Sequence, residues 1–211
     1  MKTFILLATC ILVALNGVVN ATGNYTCYGN FMSLTPTGAK RGGVSTSQYD
    51  VSYLYDSRAD VYKSCFEFVG RDLCIHPAVI AGMASRETNV GYDIRNTNGW
   101  GDHGNGYGIL QCDIRHCPVC NYNLTCTSYP YNSCQHINMM IKYVLIPNIN
   151  SMKTKFPEWT PEQQLQGAIA AYNTGPGRVS SWNTVDQHTT HGDYSNDVIA
   201  RAQHLVNNFN W

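Results

Sequence analysis

The chain has 211 residues, enough for one compact domain with a sizeable core. An apolar fraction of 44% and a charged fraction of 13% exclude an intrinsically disordered protein. The 14 basic residues are matched by 14 acidic ones, which excludes the strong attraction that a basic protein has for nucleic acid or another anionic polymer.

The first residues have the pattern of a secretory signal peptide. Lys2 carries a positive charge, an apolar run covers residues 4–15, and the small-residue site Val19-Asn20-Ala21 predicts cleavage after Ala21. A membrane anchor is the alternative, but the run is short for a span and no second apolar stretch follows it. We therefore expect residues 1–21 to be removed, residues 22–211 to form one domain, and the protein to be secreted.

Export changes the interpretation of the nine cysteines. Cys10 is lost with the signal peptide, and the eight that remain predict disulfides in an oxidising compartment. They can pair in about 105 ways, so their spacing fixes no pairing. The alternative is a zinc site built from Cys117-Pro118-Val119-Cys120, neighbouring cysteines, His116 and His136. No cofactor is implied.

The first half of the chain combines an irregular arm with two helical segments. Residues 22–48 are rich in Gly, Ser and Thr, which predicts an irregular, disulfide-tethered arm. Apolar residues, among them Val61 and Phe68, then recur at helical spacing from about Arg58 to Arg71. A second helix starts at Pro77 and is apolar on nearly every face, which predicts a buried central helix.

The composition changes abruptly after this helix. Residues 96–108 contain five glycines and three asparagines, which predicts a tightly turning backbone that lies close to another group. A cysteine-rich loop follows at residues 112–134. It contains the glycosylation sequon Asn123-Leu124-Thr125, and a second sequon, Asn24-Tyr25-Thr26, lies in the arm.

Helical signals resume at about Ile137, and Pro147 is predicted to kink or break that segment. A capping-box sequence at residues 160–163 begins the next helix, which ends at Gly175. A last helix begins at about Tyr194. Five or six helices with little strand signal predict a mainly α fold around the central helix, with the glycine-rich loop beside it.

Three carboxyl groups are candidates for chemistry. Glu87 ends the apolar helix, where burial raises the pKa of a carboxyl and keeps it protonated for donation to a glycosidic oxygen. The alternative is an ion pair with Arg86. Asp102 and Asp113 flank the glycine-rich loop, where a second carboxylate could activate water, although aspartate among glycines also caps turns.

Several blocks of the sequence, taken together, resemble goose-type lysozyme. They cover essentially the whole chain after the signal peptide, in order, from Cys27-Tyr28-Gly29-Asn30 onward. The blocks are residues 77–87 (PAVIAGMASRE), 98–111 (NGWGDHGNGYGILQ), 156–159 (FPEW), 163–165 (QQL), 170–173 (AAYN) and 189–203 (TTHGDYSNDVIARAQ).

The resemblance implies a lysozyme-like α fold that hydrolyses the β-1,4 bond between N-acetylmuramic acid and N-acetylglucosamine in bacterial peptidoglycan, with inversion. Glu87 falls on the general acid of the family, and Asp102 and Asp113 fall on its two candidate water-positioning aspartates. Further matches are the cleft positions Tyr172, Asn173 and Tyr194, a substrate-contacting histidine at His116, and one disulfide between Cys27 and Cys74. We expect a monomer that acts on peptidoglycan, in defence or digestion, without nucleic-acid or membrane partners.

The resemblance leaves two other functions open. Residues 106–111 and 170–178 also resemble lytic transglycosylases, which form a 1,6-anhydro sugar instead of adding water. A catalytically dead, wall-binding protein is the other alternative. Retention of Glu87, Asp102 and Asp113 favours hydrolysis. The loop from Ile114 to Cys134 departs from the family's sequence.

Overall fold

A computed structural model describes residues 25–54 and 60–211. Within these ranges the helices are α1 (Gly43–Leu54), α2 (Asp60–Leu73), α3 (Pro77–Thr88), α4 (Cys134–Met140), α5 (Ile146–Lys155), α6 (Pro161–Thr174) and α7 (Tyr194–Phe209). The short strands β1 (Trp100–Gly101), β2 (Gly106–Tyr107) and β3 (Cys112–Asp113) form one antiparallel sheet in that order. The predicted mainly α fold is confirmed. The predicted signal peptide and Asn24 lie outside the described residues.

Helix α3 is the centre of the domain. Every residue from Pro77 to Ser85 is buried, and the helix packs against α1, α2 and α7. Gly82 permits the close crossing with α7, because a Cβ at this position would lie 2.8 Å from the Val198 carbonyl oxygen. Asn89 ends the helix in the left-handed conformation, with φ at 49°. The prediction of a buried central helix is confirmed.

Two predictions for the first half of the chain are wrong in part. The arm is irregular only as far as residue 42, since α1 begins at Gly43. Helix α2 forms as expected, but Val61 and Phe68 do not face the core and are 74% and 57% exposed. Val69, another apolar residue of the same pattern, is buried, and Phe66 completes the buried face. Apolar spacing indicated a helix but did not identify its inward side.

Pro147 neither breaks nor ends the helical path between α4 and α5. A π-helical segment, Ile141–Leu145, joins them, and the Ile146 N–H bonds the Ile141 carbonyl. Pro147 then occupies the first turn of α5, directly after the π segment. The wider turn of the π segment therefore accommodates Pro147, which was expected to kink or break the helix.

Four disulfides connect the described parts of the chain. Cys27–Cys74 ties the arm to the end of α2, and Cys65–Cys134 ties α2 to α4. Cys112–Cys126 and Cys117–Cys120 lie within the cysteine-rich loop. In the same part of the chain, no helix has the length and apolarity of a membrane span.

Candidate active site

Glu87 lies in the last turn of α3, at the point where two surface cavities meet. It is largely enclosed, and burial raises the pKa of its carboxyl from 4.5 to about 7. The Tyr194 hydroxyl donates a hydrogen bond to Glu87 Oε1, which opposes part of that rise. The side chain therefore carries a proton over much of the range up to neutral pH.

Arg86, the neighbour that could have neutralised Glu87, is paired elsewhere. Its Nη1 lies 2.6 Å from Asp197 Oδ2, and its Nη2 lies 2.8 Å from Asp193 Oδ1. Arg201 also pairs with Asp197, with Nε 3.0 Å from Oδ1. These groups are almost fully buried, so they fix the end of α3 against α7. The ion pair between Glu87 and Arg86 is not formed.

The glycine-rich segment folds into the small sheet and carries both candidate aspartates. Asp102 follows β1 directly, and Asp113 is the last residue of β3. Arg115 joins them, because its Nη2 lies 3.3 Å from Asp102 Oδ2 and its Nε lies 3.0 Å from Asp113 Oδ1. His116 Nδ1 is 2.9 Å from Asp113 Oδ2. Arg115, with help from His116, holds the pKa of Asp113 well below its usual range.

The larger of the two cavities is an open cleft of about 1020 Å³ that brings the predicted residues together. The predicted residues that line it are Glu87, Asp102, Asp113, His116, Tyr172 and Asn173. Tyr194 lines the smaller cavity, of about 640 Å³, together with Glu87 and Asn173. All seven predicted catalytic and substrate-contacting residues therefore lie on one connected surface around Glu87.

Two of these wall residues are held by backbone contacts. The Tyr172 hydroxyl donates to the Leu110 carbonyl at 2.6 Å, which connects α6 to the turn before β3. Asn173 Oδ1 accepts from the Thr190 N–H at 2.7 Å. Both side chains are thus fixed in position before a ligand binds, which is an advantage for binding because less freedom is lost.

Sequence reasoning missed Arg115, although a signal was present. An arginine two residues after an aspartate that ends a short strand can fold back onto its carboxylate. It also missed Asp186, a buried residue whose carboxylate accepts hydrogen bonds from the Ser195 N–H and hydroxyl, each at 2.9 Å. Asp186 anchors the first turn of α7 and thereby the position of Tyr194.

The cysteines of the alternative zinc site are all bonded in disulfides in this structure. Cys117 is bonded to Cys120, and the neighbouring cysteines of the loop are bonded to Cys65 and Cys112. The disulfide expected from the resemblance, Cys27–Cys74, is present. Although Cys112 is bridged, the adjacent Asp113 still faces the cleft.

An open groove that holds a protonated carboxyl and an ionised one is typical of glycoside hydrolases. Comparisons with known proteins identify the family of glycoside hydrolases to which the chain is similar. The family model described as lysozyme g matches residues 28–208. Lysozyme g of Struthio camelus is 42% identical over 188 residues, covering 84% of this chain and 86% of that protein. Lysozyme g of Gallus gallus is 39% identical over 203 residues, covering 92% and 90%.

A mollusc protein gives a match of a different kind. A "glycine, glutamate and proline-rich protein" of Lottia gigantea is 42% identical over 203 residues, which is 91% of this chain but 47% of that protein. The chain thus spans about half of that relative's length and most of the length of the bird lysozymes. It belongs to the lysozyme g family and is a glycoside hydrolase of the lysozyme type.

Proposed function

We propose that this protein is a secreted muramidase. It hydrolyses the β-1,4 bond between N-acetylmuramic acid and N-acetylglucosamine in peptidoglycan, with Glu87 as the general acid and inversion at the anomeric carbon. One observation carries the proposal. A carboxyl with a raised pKa and a carboxylate with a lowered pKa line the same cleft, which separates the acid role from the base role.

Glu87 donates its proton to the glycosidic oxygen as the bond to the leaving sugar breaks. A proton donor needs a pKa near the working pH, because a stronger acid is already ionised and a weaker one transfers slowly. A pKa of about 7 meets this requirement. Tyr194 keeps the carboxyl oriented and stabilises the carboxylate that forms after transfer.

Asp113 and Asp102 position and activate the water that attacks the opposite face of the sugar ring. Both line the cleft and keep contact with solvent, so a water molecule can reach them. Arg115 neutralises part of their charge and holds the two carboxylates in one cluster. An inverting enzyme needs room for this water between acid and base, and the open form of the cleft supports this part of the proposal.

The cleft wall supports recognition of a chain of N-acetylated sugars. Asn173 and His116 offer polar contacts, and Tyr172 offers a partly buried ring beside Glu87. The four disulfides support export, because such bonds persist in oxidising compartments. We infer that the enzyme acts as a monomer outside the cell.

Digestion of purified peptidoglycan by the wild type and by Glu87→Gln tests the proposal, with product masses read by mass spectrometry. We expect fragments with a reducing-end N-acetylmuramic acid from the wild type and a loss of about 10²–10⁴-fold in rate for the variant. Fragments lighter by one water would show a transglycosylase instead. Equal rates for the two proteins would overturn the assignment of Glu87.

A further inference from the structure

One helical path separates the catalytic cleft from a second groove on the surface. Met140, Val144 and Asn148 are spaced by four residues and line the cleft from one face of the path formed by α4, the π segment and α5. Neighbouring residues of the same path, Asn138 and Tyr143, line the second groove, which has a volume of about 470 Å³. The two grooves thus lie on different sides of the same helical path.

Three parts of the chain build the second groove. Helix α2, the cysteine-rich loop, and α4 with the π segment converge on it, and the Cys65–Cys134 disulfide joins two of them beside the groove. The lining includes Phe68, Asp72, Tyr129, Asn138, Lys142 and Tyr143. The groove therefore lies between covalently joined elements rather than on a single helix.

Four aromatic residues lie in or beside this groove, and two of them are exposed. Phe68 is 57% exposed, although it belongs to the apolar pattern that indicated helix α2. Tyr122 is 46% exposed, and its ring centroid lies 4.4 Å from that of Tyr143, which extends the aromatic surface beyond the groove. A contiguous apolar patch with a polar rim marks a site of ligand or partner binding.

Polar groups surround these rings without a net charge. Asp72 and Lys142 supply one charge of each sign, and Asn138 Nδ2 lies 3.5 Å from Asp72 Oδ2. A nucleic acid or an anionic membrane surface would require an excess of basic residues, which the groove lacks. Flat apolar rings beside amide and hydroxyl groups match a sugar ring, which has C–H faces and a polar edge.

We propose that this groove is a second carbohydrate-binding site that holds strands of β-1,4-linked N-acetylated amino sugars outside the catalytic cleft. The proposal takes its ligand class from the proposed function. Phe68 and Tyr143 stack on sugar rings, and Asp72, Asn138 and Lys142 bond hydroxyl and acetamido groups. A second attachment to the same polymer raises the effective concentration of substrate at the cleft without changing the chemistry there.

The test separates adsorption from catalysis. Phe68→Ser removes an exposed ring whose loss leaves the core intact, and Tyr49→Ser, at a 70% exposed position on α1, is the matched control. Each change is made in the wild type and in Glu87→Gln. Adsorption of the Glu87→Gln proteins to insoluble peptidoglycan is measured by co-sedimentation, and kcat/KM of the active proteins is measured on short soluble peptidoglycan fragments.

We expect Phe68→Ser to weaken adsorption by about 2–10-fold, the range that one aromatic stacking contact supplies. Its kcat/KM on soluble fragments should equal that of the wild type, and Phe68→Trp should restore adsorption. Unchanged adsorption, or an equal loss in Tyr49→Ser, would overturn the second site. Failure of the wild type to cleave soluble fragments would instead contradict the proposed function, and the adsorption result would remain interpretable.

Discussion

Two arginines, Arg86 and Arg115, each connect a pair of aspartates, but one pair is buried and the other is exposed. Arg86 joins Asp193 and Asp197, with side-chain exposures of 15%, 6% and 0%. Arg115 joins Asp102 and Asp113, where the corresponding values are 53%, 55% and 34%. The same pairing therefore has different consequences. The buried cluster fixes the helices that carry Glu87 and Tyr194, whereas the exposed cluster leaves carboxylates in contact with solvent.

The largest effect is expected from Arg86→Met. Asp197 keeps its pairing with Arg201, but the buried Asp193 loses its arginine partner, so the free energy of unfolding should fall by about 3–5 kcal/mol. Arg115→Met is the matched variant, and its free energy of unfolding should change by no more than about 0.5 kcal/mol, since the pair is exposed. Denaturant titration of both variants measures the contrast. Similar losses in the two would contradict the distinction.

Glu87→Gln should alter how stability depends on pH. The folded pKa of Glu87 is raised from 4.5 to about 7, so between these values the folded state keeps a proton that the unfolded state has released. The free energy of unfolding of the wild type should therefore fall as the pH rises from about 4.5 to 7, by at most about 3 kcal/mol. Glutamine does not titrate, so the variant should lack this component. Parallel stability curves for the two proteins would argue against a buried, protonated Glu87.

Arg115→Met should affect activity more than stability. We expect kcat on soluble fragments to fall about tenfold, equivalent to about 1.4 kcal/mol in the barrier. Because Arg115 holds the pKa of Asp113 low, the acid limb of the pH–rate profile should also move to higher pH. Arg71→Met, at an exposed position on α2, is the control. An unchanged acid limb would mean that Arg115 does not act through Asp113.

The smallest effect is expected from Tyr194→Phe. The hydrogen bond from Tyr194 lowers the pKa of Glu87, so its removal should move the alkaline limb of the pH–rate profile to higher pH. The rate at the optimum should change by less than tenfold. Tyr172→Phe is the matched control, because the Tyr172 hydroxyl bonds the Leu110 carbonyl and not Glu87. Equal shifts in both variants would exclude a specific role for Tyr194.

The two clusters also show which features the sequence could predict. An apolar helix that ends in Glu87 indicated both the central helix and an enclosed carboxyl, because burial follows directly from composition. Asp102 and Asp113 were candidates because they flank the glycine-rich segment, and the resemblance to goose-type lysozyme selected them over a role as turn caps. The ion pairs of Arg115 with both aspartates form because the short sheet brings the end of β1 close to the end of β3. This contact between distant residues leaves no periodic pattern in the sequence.

Away from the cleft, too, the sequence predicted local features but not those that depend on tertiary contacts. The capping box at Thr160 and Gln163 is confirmed, since it consists of local contacts between residues three apart. The exposure of Phe68 and the π segment before Pro147 depend on neighbouring elements, so a pattern along one helix could not predict them. Local signals thus determined the elements, and tertiary contacts determined which face each element presents.

The disulfides have a consequence for the unfolded chain. Cys27–Cys74 and Cys65–Cys134 span 47 and 69 residues, and their loops overlap between residues 65 and 74. In the chain-entropy description, each removes freedom from the denatured ensemble worth about 4 kcal/mol, whereas Cys117–Cys120, with a separation of 3, restricts only a local turn. When the oxidised protein unfolds, residues 27–134 therefore remain a compact, cross-linked segment. Refolding starts from a greatly reduced number of conformations, which shortens the search for the native state.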